Sequence, residues 1–64
     1  MDIDFILDDL YEEAYYWDTL RYYHFCVEDA ERVVYLHEFC GYYYREAIHK
    51  VLREIEDDLI QWGY

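Results

Sequence analysis

The last third of the chain carries an apolar pattern that fits an α-helix and no β-strand. Over residues 42–62 the apolar side chains recur at steps of three and four, the period of one helix face. They are Tyr44, Ile48, Val51, Leu52, Ile55, Leu59 and Trp62. Glu46, Arg53 and Asp57 fall opposite, with Glu54 beside them. We therefore expect one face to pack against a core and the other to meet water.

Two earlier segments repeat the pattern. Residues 2–17 carry the stripe Ile3, Ile6, Leu7, Leu10, Ala14 and Trp17. Residues 19–40 carry the stripe Leu20, Tyr23, Val27, Ala30, Val34 and His37. The second segment is also apolar away from its stripe, at Tyr22, Phe25, Leu36 and Phe39. A helix that is apolar on two sides is typical of the middle element of a bundle.

Two boundaries separate these segments. Gly41 can adopt the left-handed conformation that ends a helix, so it predicts the second boundary. For the first we favour Asp18, an acceptable N-cap. A turn between His24 and Val27 is the alternative, since it would leave Glu28 and other acids in a first helical turn.

The fold prediction is an all-α, compact three-helix bundle with short turns near Asp18 and Gly41. The chain has no proline and two glycines, which suits helices joined by short turns. Its 64 residues form one domain, residues 1–64, with helices near 2–17, 19–40 and 42–62.

Net charge is the strongest indication of function. Sixteen acidic residues against five Lys and Arg give a formal charge of −11. Such a chain repels nucleic acid and anionic membranes and is attracted to basic surfaces. It begins Met-Asp-Ile-Asp, without the basic region of a secretory signal, and has no apolar run of the ~20 residues that a membrane span needs. We therefore expect a cytoplasmic protein, monomeric rather than dimeric.

The residues that could support catalysis or metal binding do not form a recognisable site. If residues 19–40 are one helix, Cys26 and Cys40 lie ~21 Å apart along its axis, too far for one metal ion or a disulfide. Glu46 and His49 form a single Glu-x-x-His pair, whereas di-iron bundles need two. The chain has no serine and no glycine-rich phosphate loop. We expect no enzymatic activity, no metal and no cofactor.

Rows of carboxylates form the most informative pattern. Asp4, Asp8 and Glu12 repeat at every fourth residue, a spacing at which like charges destabilise a helix by roughly 0.2–0.5 kcal/mol per pair. Acids also crowd the end of the third helix, where the helix dipole disfavours them. We predict a partner-binding surface that joins both groups: Asp4, Asp8, Asp9, Glu12, Glu13, Glu54, Asp57 and Asp58.

A very small, acidic, tyrosine-rich and helical chain resembles the phage-encoded anti-CRISPR proteins, in particular the all-helical DNA mimics among them. The resemblance covers the whole chain and rests on size, charge and helical pattern, without a shared motif. It implies an inhibitor that occupies the basic surface where a CRISPR effector complex reads the protospacer-adjacent motif or holds target DNA. The alternative is another acidic protein-binding module, such as a restriction or nuclease inhibitor, an immunity protein or a helical adaptor.

Overall fold

A computed structural model describes residues 2–62 of the chain and contains three α-helices. They are α1 (Ile3–Ala14), α2 (Val27–Phe39) and α3 (Tyr44–Gln61). Each helix contacts both others, and no strand occurs within the described residues. The prediction of an all-α three-helix bundle is confirmed.

Helix α1 begins where its sequence offers a cap. The side chain of Asp2 accepts a hydrogen bond from the Asp4 backbone N–H at 3.0 Å, which satisfies a donor that the first turn leaves open. Ile6, Leu10 and Ala14 are buried, as the stripe predicts. The helix ends at Ala14, earlier than predicted, although Trp17 still packs against the core from the following segment.

The predicted start of the second helix at Asp18 is wrong, and the alternative near Val27 is confirmed. Residues 15–26 form a non-helical connection rather than the start of a helix. The reason lies in the first turn of α2, where the Asp29 carboxylate accepts a hydrogen bond from the Cys26 backbone N–H at 3.0 Å. Glu28 and Asp29 also place negative charge where the helix dipole favours it.

Two buried side chains and two hydrogen bonds hold the connection in place. Leu20 and Phe25 enter the core from it. The Tyr11 hydroxyl accepts a hydrogen bond from the Phe25 backbone N–H at 2.9 Å, and the Thr19 hydroxyl donates to Glu56 of α3. Leu20 therefore follows the predicted helical spacing without lying in a helix, because it fills the core through a loop.

The turn at Gly41 is confirmed. Helix α2 ends at Phe39, and Gly41 has a φ of +79°, which an L side chain rarely adopts. The Tyr42 backbone N–H then donates to the Leu36 carbonyl at 3.2 Å. Helix α3 begins two residues later, where Glu46 accepts a hydrogen bond from the Tyr43 backbone N–H at 3.3 Å.

The core differs from the predicted stripes mainly at α2. Ala30, Val33 and Leu36 are buried there, whereas Val34 and His37 are half-buried and Val27 is exposed. Four residues of α3 complete the core: Ala47, Ile48, Val51 and Leu52. Trp62, the last residue of the α3 stripe, is 82% exposed because it lies at the end of the helix, beyond the packed region.

Side-chain contacts fix the helix directions. Asp9 of α1 meets Tyr44 of α3, and Glu13 meets His49 one turn further along both helices. Helices α1 and α3 therefore run parallel, and α2 returns antiparallel between them. Consequently α1 presents one flank to α3 and the other to α2.

Candidate functional site

Positive charge is confined almost wholly to α3 and to the side of α2 that faces it. Helix α1 contains five acidic residues and no basic one. Arg45, Lys50 and Arg53 lie on α3, and α2 contributes only Arg32. The Arg32 Nη2 atom lies 2.6 Å from Glu54 Oε2, outside hydrogen-bond angles, so this contact is an ion pair directed at α3. The surfaces of the bundle thus differ sharply in charge.

Two of the predicted site residues lie against α3. The Tyr44 hydroxyl donates to Asp9 Oδ2 at 2.5 Å, and His49 Nε2 lies 2.7 Å from Glu13 Oε1. Arg45 Nη1 is 3.6 Å from the other oxygen of Glu13. Both carboxylates are half-buried and have partners within the chain. Their predicted role in binding a partner stays a prediction, but these contacts already give them a structural role.

The contact with Asp9 also changes the acidity of Tyr44. Burial raises the pKa of the Tyr44 phenol, and the hydrogen bond to Asp9 and the negative charge of that carboxylate raise the pKa further. The phenol therefore keeps its proton and remains a donor well above neutral pH. At neutral pH the Tyr44 hydroxyl and the Asp9 carboxylate are therefore bonded to each other and are not free to bind an external ligand.

Asp4, Asp8 and Glu12 behave differently from Asp9 and Glu13. All three are exposed, and their carboxylates make no ion pair or hydrogen bond within residues 2–62. They form one row along the outer surface of α1, with successive carboxylates offset by ~6 Å along the axis. Helical periodicity turns Asp4 toward the α2 flank, leaves Asp8 on the outward surface and brings Glu12 nearer the groove that Arg45 lines. On α1, this row is the part of the predicted site that remains available to a partner.

Helix α2 contributes a second exposed set that the sequence prediction missed. Glu28, Glu31 and Glu38 are exposed and make no ion pair or side-chain hydrogen bond in the described part of the chain. Arg32 marks the flank of α2 that faces α3, so periodicity turns Glu38 toward the other flank and leaves Glu31 on the outward surface of the helix. The available signal is the acid content of residues 28–38, although Arg32 lies among these acids and makes the segment less uniformly acidic than α1.

Together these residues define the α1–α2 acidic face: Asp4, Asp8, Glu12, Glu28, Glu31 and Glu38. Because these unpartnered carboxylates lie on the exposed surfaces of two helices that pack together, their negative potentials add.

The acids at the end of α3 belong to a different surface. Glu54 pairs with Arg32, and with Asp57 and Asp58 it lines a groove of about 470 Å³ between α2 and α3. Asp57 and Asp58 are exposed and have no ion-pair partner within residues 2–62. Glu54 lies on the α2 flank of α3, whereas Arg45 and His49 lie on its α1 flank. The structure therefore does not bring these three acids together with the row on α1.

Tyr23 lines the same groove as these α3 acids. Burial raises the pKa of its phenol, and the negative charge of Asp29 adds to the shift. The phenol stays neutral and can donate a hydrogen bond into the groove.

The histidines and cysteines are dispersed. No three of the described His, Cys, Asp and Glu side chains come together as a metal-binding group. Cys26 and Cys40 are free and lie at opposite ends of α2, which preserves the ~21 Å axial separation despite the shorter helix. Glu46 caps α3 and His49 contacts Glu13, which gives structural roles to the Glu-x-x-His pair. His37 Nδ1 lies 2.8 Å from the Tyr42 carbonyl oxygen at the turn.

No protein-family model, curated protein or solved structure matches this chain. Among residues 2–62 there is no helix with both the length and the apolar character to cross a bilayer.

Proposed function

We propose that this chain is an acidic mimic of duplex DNA that binds the basic DNA-contacting surface of another protein and so inhibits DNA binding. The observation that carries the proposal is the α1–α2 acidic face, whose carboxylates have no partners within the described chain. A surface that served only to keep the chain dispersed would tolerate basic residues at some of these positions, and a net charge of about 2 to 8 would suffice.

The charge density of the face supports mimicry. Carboxylates on one helix are offset by ~6 Å, and a second acidic row lies on the adjacent helix. Phosphates on one DNA strand recur every 3.4 Å, with one charge per ~1.7 Å when both strands are counted. Two such rows give about one charge per 3 Å, close to the spacing of one DNA strand and about half the density of the duplex, without copying its regular geometry. Lysine and arginine side chains that bind phosphates can bind carboxylates by the same charge-assisted hydrogen bonds.

The target class follows from the resemblance to anti-CRISPR proteins. We propose a subunit of a CRISPR effector complex as the partner, bound where it recognises the protospacer-adjacent motif or holds target DNA. The inhibitor would act in the host cytoplasm by occupying that surface, without a cofactor and without catalysis. Complementary charge speeds the association of such partners and weakens with salt, so we expect binding to fall between about 50 and 200 mM salt.

Two matched charge reversals test the proposal on a candidate effector. The face variant carries Asp8→Lys with Glu31→Lys, and the control variant carries Asp57→Lys with Asp58→Lys. Each changes the net charge by the same amount, at two exposed carboxylates that make no ion pair or hydrogen bond within residues 2–62. We expect the face variant to lose displacement of a DNA duplex and the control variant to keep most of it. Equal losses would mean that net charge acts without a defined face.

A helical adaptor is the second candidate, and the exposed aromatic side chains favour it. Tyr16, Tyr22, Tyr43 and Trp62 are among the large apolar residues that solvent reaches. Phe25 and Leu36, which belong to the second apolar side of residues 19–40, are buried and cannot contact a target. An adaptor would bind its target and leave DNA binding intact, whereas a mimic and DNA exclude each other.

A further inference from the structure

Two aromatic rings stack on the outer surface of α2, away from the core. The ring centroids of Tyr35 and Phe39 are 5.7 Å apart with an interplanar angle of 29°. Tyr35 is 57% exposed and Phe39 is 76% exposed. An aromatic pair one turn apart adds only a few tenths of a kcal/mol to a helix. Helix stability therefore gives little reason to keep a phenylalanine in water.

Carboxylates surround the stack on its own helix. Glu31 lies one turn before Tyr35, Glu38 lies one turn after it, and Glu28 lies two turns before it. All three belong to the α1–α2 acidic face. Arg32 is also one turn from Tyr35, but its guanidinium is directed at Glu54 on the other flank. The stack is thus an apolar, electron-rich platform bordered by unpaired negative charges.

This combination matches the chemistry of the arginine side chain. A guanidinium is planar and weakly hydrated, stacks on aromatic rings and donates paired hydrogen bonds to a carboxylate. The lysine ammonium is a strongly hydrated point charge that cannot form both contacts with one planar group. We propose that the Tyr35–Phe39 stack docks an arginine of the partner's basic surface, with Glu31 or Glu38 accepting its hydrogen bonds. This inference rests on the proposed function and specifies the partner chemistry at that face.

Charge complementarity identifies the occupant of the stack as a basic partner and not a second copy of this chain. Two copies meeting through α2 would bring Glu28, Glu31 and Glu38 of each against the same residues of the other. With a net charge of −11 on each chain, that contact would be repulsive. A basic surface, in contrast, neutralises these glutamates when it binds.

An arginine homopeptide and a lysine homopeptide of equal length are suitable probes. Calorimetry measures the affinity of each for the full chain and for the stack variant, which carries Tyr35→Leu with Phe39→Leu. Leucine keeps the apolar character and the helix propensity but removes the aromatic faces. The control variant carries Tyr16→Leu with Tyr22→Leu, which alters two exposed rings in the α1–α2 connection. Thermal unfolding of each variant shows whether a change in peptide affinity comes from a loss of folded structure.

We expect the wild-type chain to prefer the arginine peptide. In the stack variant the ratio of the two affinities should fall by about 2- to 5-fold, the size of an exposed cation–π contact. The lysine peptide should bind the stack variant nearly as well as wild type, and the control variant should keep the wild-type ratio. An unchanged ratio in the stack variant would overturn the arginine inference but leave charge-driven binding in place. Failure of both peptides to bind wild type would overturn the proposed function as well.

Discussion

Replacing Tyr44 with phenylalanine removes one hydroxyl group and with it the hydrogen bond to Asp9 that joins α1 to α3. A hydrogen bond to a charged group contributes about 1.5–3 kcal/mol to stability. Both residues are half-buried, so water can partly replace the lost donor, and we expect a loss of about 1 kcal/mol. For a domain of this size that corresponds to a decrease of about 4–8 °C in Tm.

The effect of this substitution on the free energy of unfolding should also depend on pH. The pKa of Tyr44 is raised in the folded state above its ordinary value of 10.0. The resulting stabilisation is complete below pH 10.0 and is lost as the pH rises through the raised value, because the unfolded chain releases the proton first. The difference in unfolding free energy between wild type and Tyr44→Phe should therefore shrink above pH 10.0.

Urea unfolding of wild type, Tyr44→Phe, Asp9→Ala and the double variant measures the pair directly. The coupling free energy should be about 1 kcal/mol, larger than the 0.3–0.5 kcal/mol within which independent sites add. The cycle also cancels the helix-propensity change that Asp9→Ala introduces on its own. Additive effects, or a Tyr44→Phe variant as stable as wild type, would show that the hydrogen bond does not hold α1 against α3.

Three further predictions concern the fold. Leu52 is fully buried, so Leu52→Ala should lower the free energy of unfolding by about 2–5 kcal/mol. The unfolding transition that circular dichroism follows should then be much reduced or absent. A variant as stable as wild type would contradict the packed core. In Gly41→Ala the added Cβ meets no atom within 4 Å, but the residue must keep a left-handed φ. Chemical denaturation should therefore show a free energy of unfolding lower by about 1 kcal/mol, and an unchanged value would contradict the turn. Tm should rise from low to moderate salt as screening weakens the repulsion among unpaired carboxylates, and a fall would mean that ion pairs dominate.

The helices could be predicted where their apolar spacing coincides with packing. Stripes on α1 and α3 identify Ile6, Leu10, Val51 and Leu52 as core residues, and Gly41 predicts the turn. The predicted start of α2 was wrong because the helical spacing of apolar residues continues through a loop. Leu20 and Tyr23 keep the three-residue step while the backbone forms successive turns, and spacing alone cannot distinguish these states.

The candidate site could be predicted only in part, because charge along the sequence does not reveal which carboxylates find partners. Asp8 and Asp9 are adjacent and chemically identical, yet Asp8 is exposed and Asp9 accepts a hydrogen bond from Tyr44. That difference depends on the flank of α1 that meets α3. Glu31 was missed for the converse reason, since nearby Arg32 is directed away from it toward Glu54.

Mutual exclusion between this chain and DNA is the central claim, and a competition titration tests it most directly. Fluorescence anisotropy follows a labelled duplex bound to a candidate CRISPR effector as the wild-type chain is added, at several fixed concentrations of unlabelled duplex. If both occupy one basic surface, the concentration of chain needed for half displacement should increase linearly with the total duplex concentration. Binding of the chain to the effector while the duplex remains bound, in a ternary complex, would contradict the account.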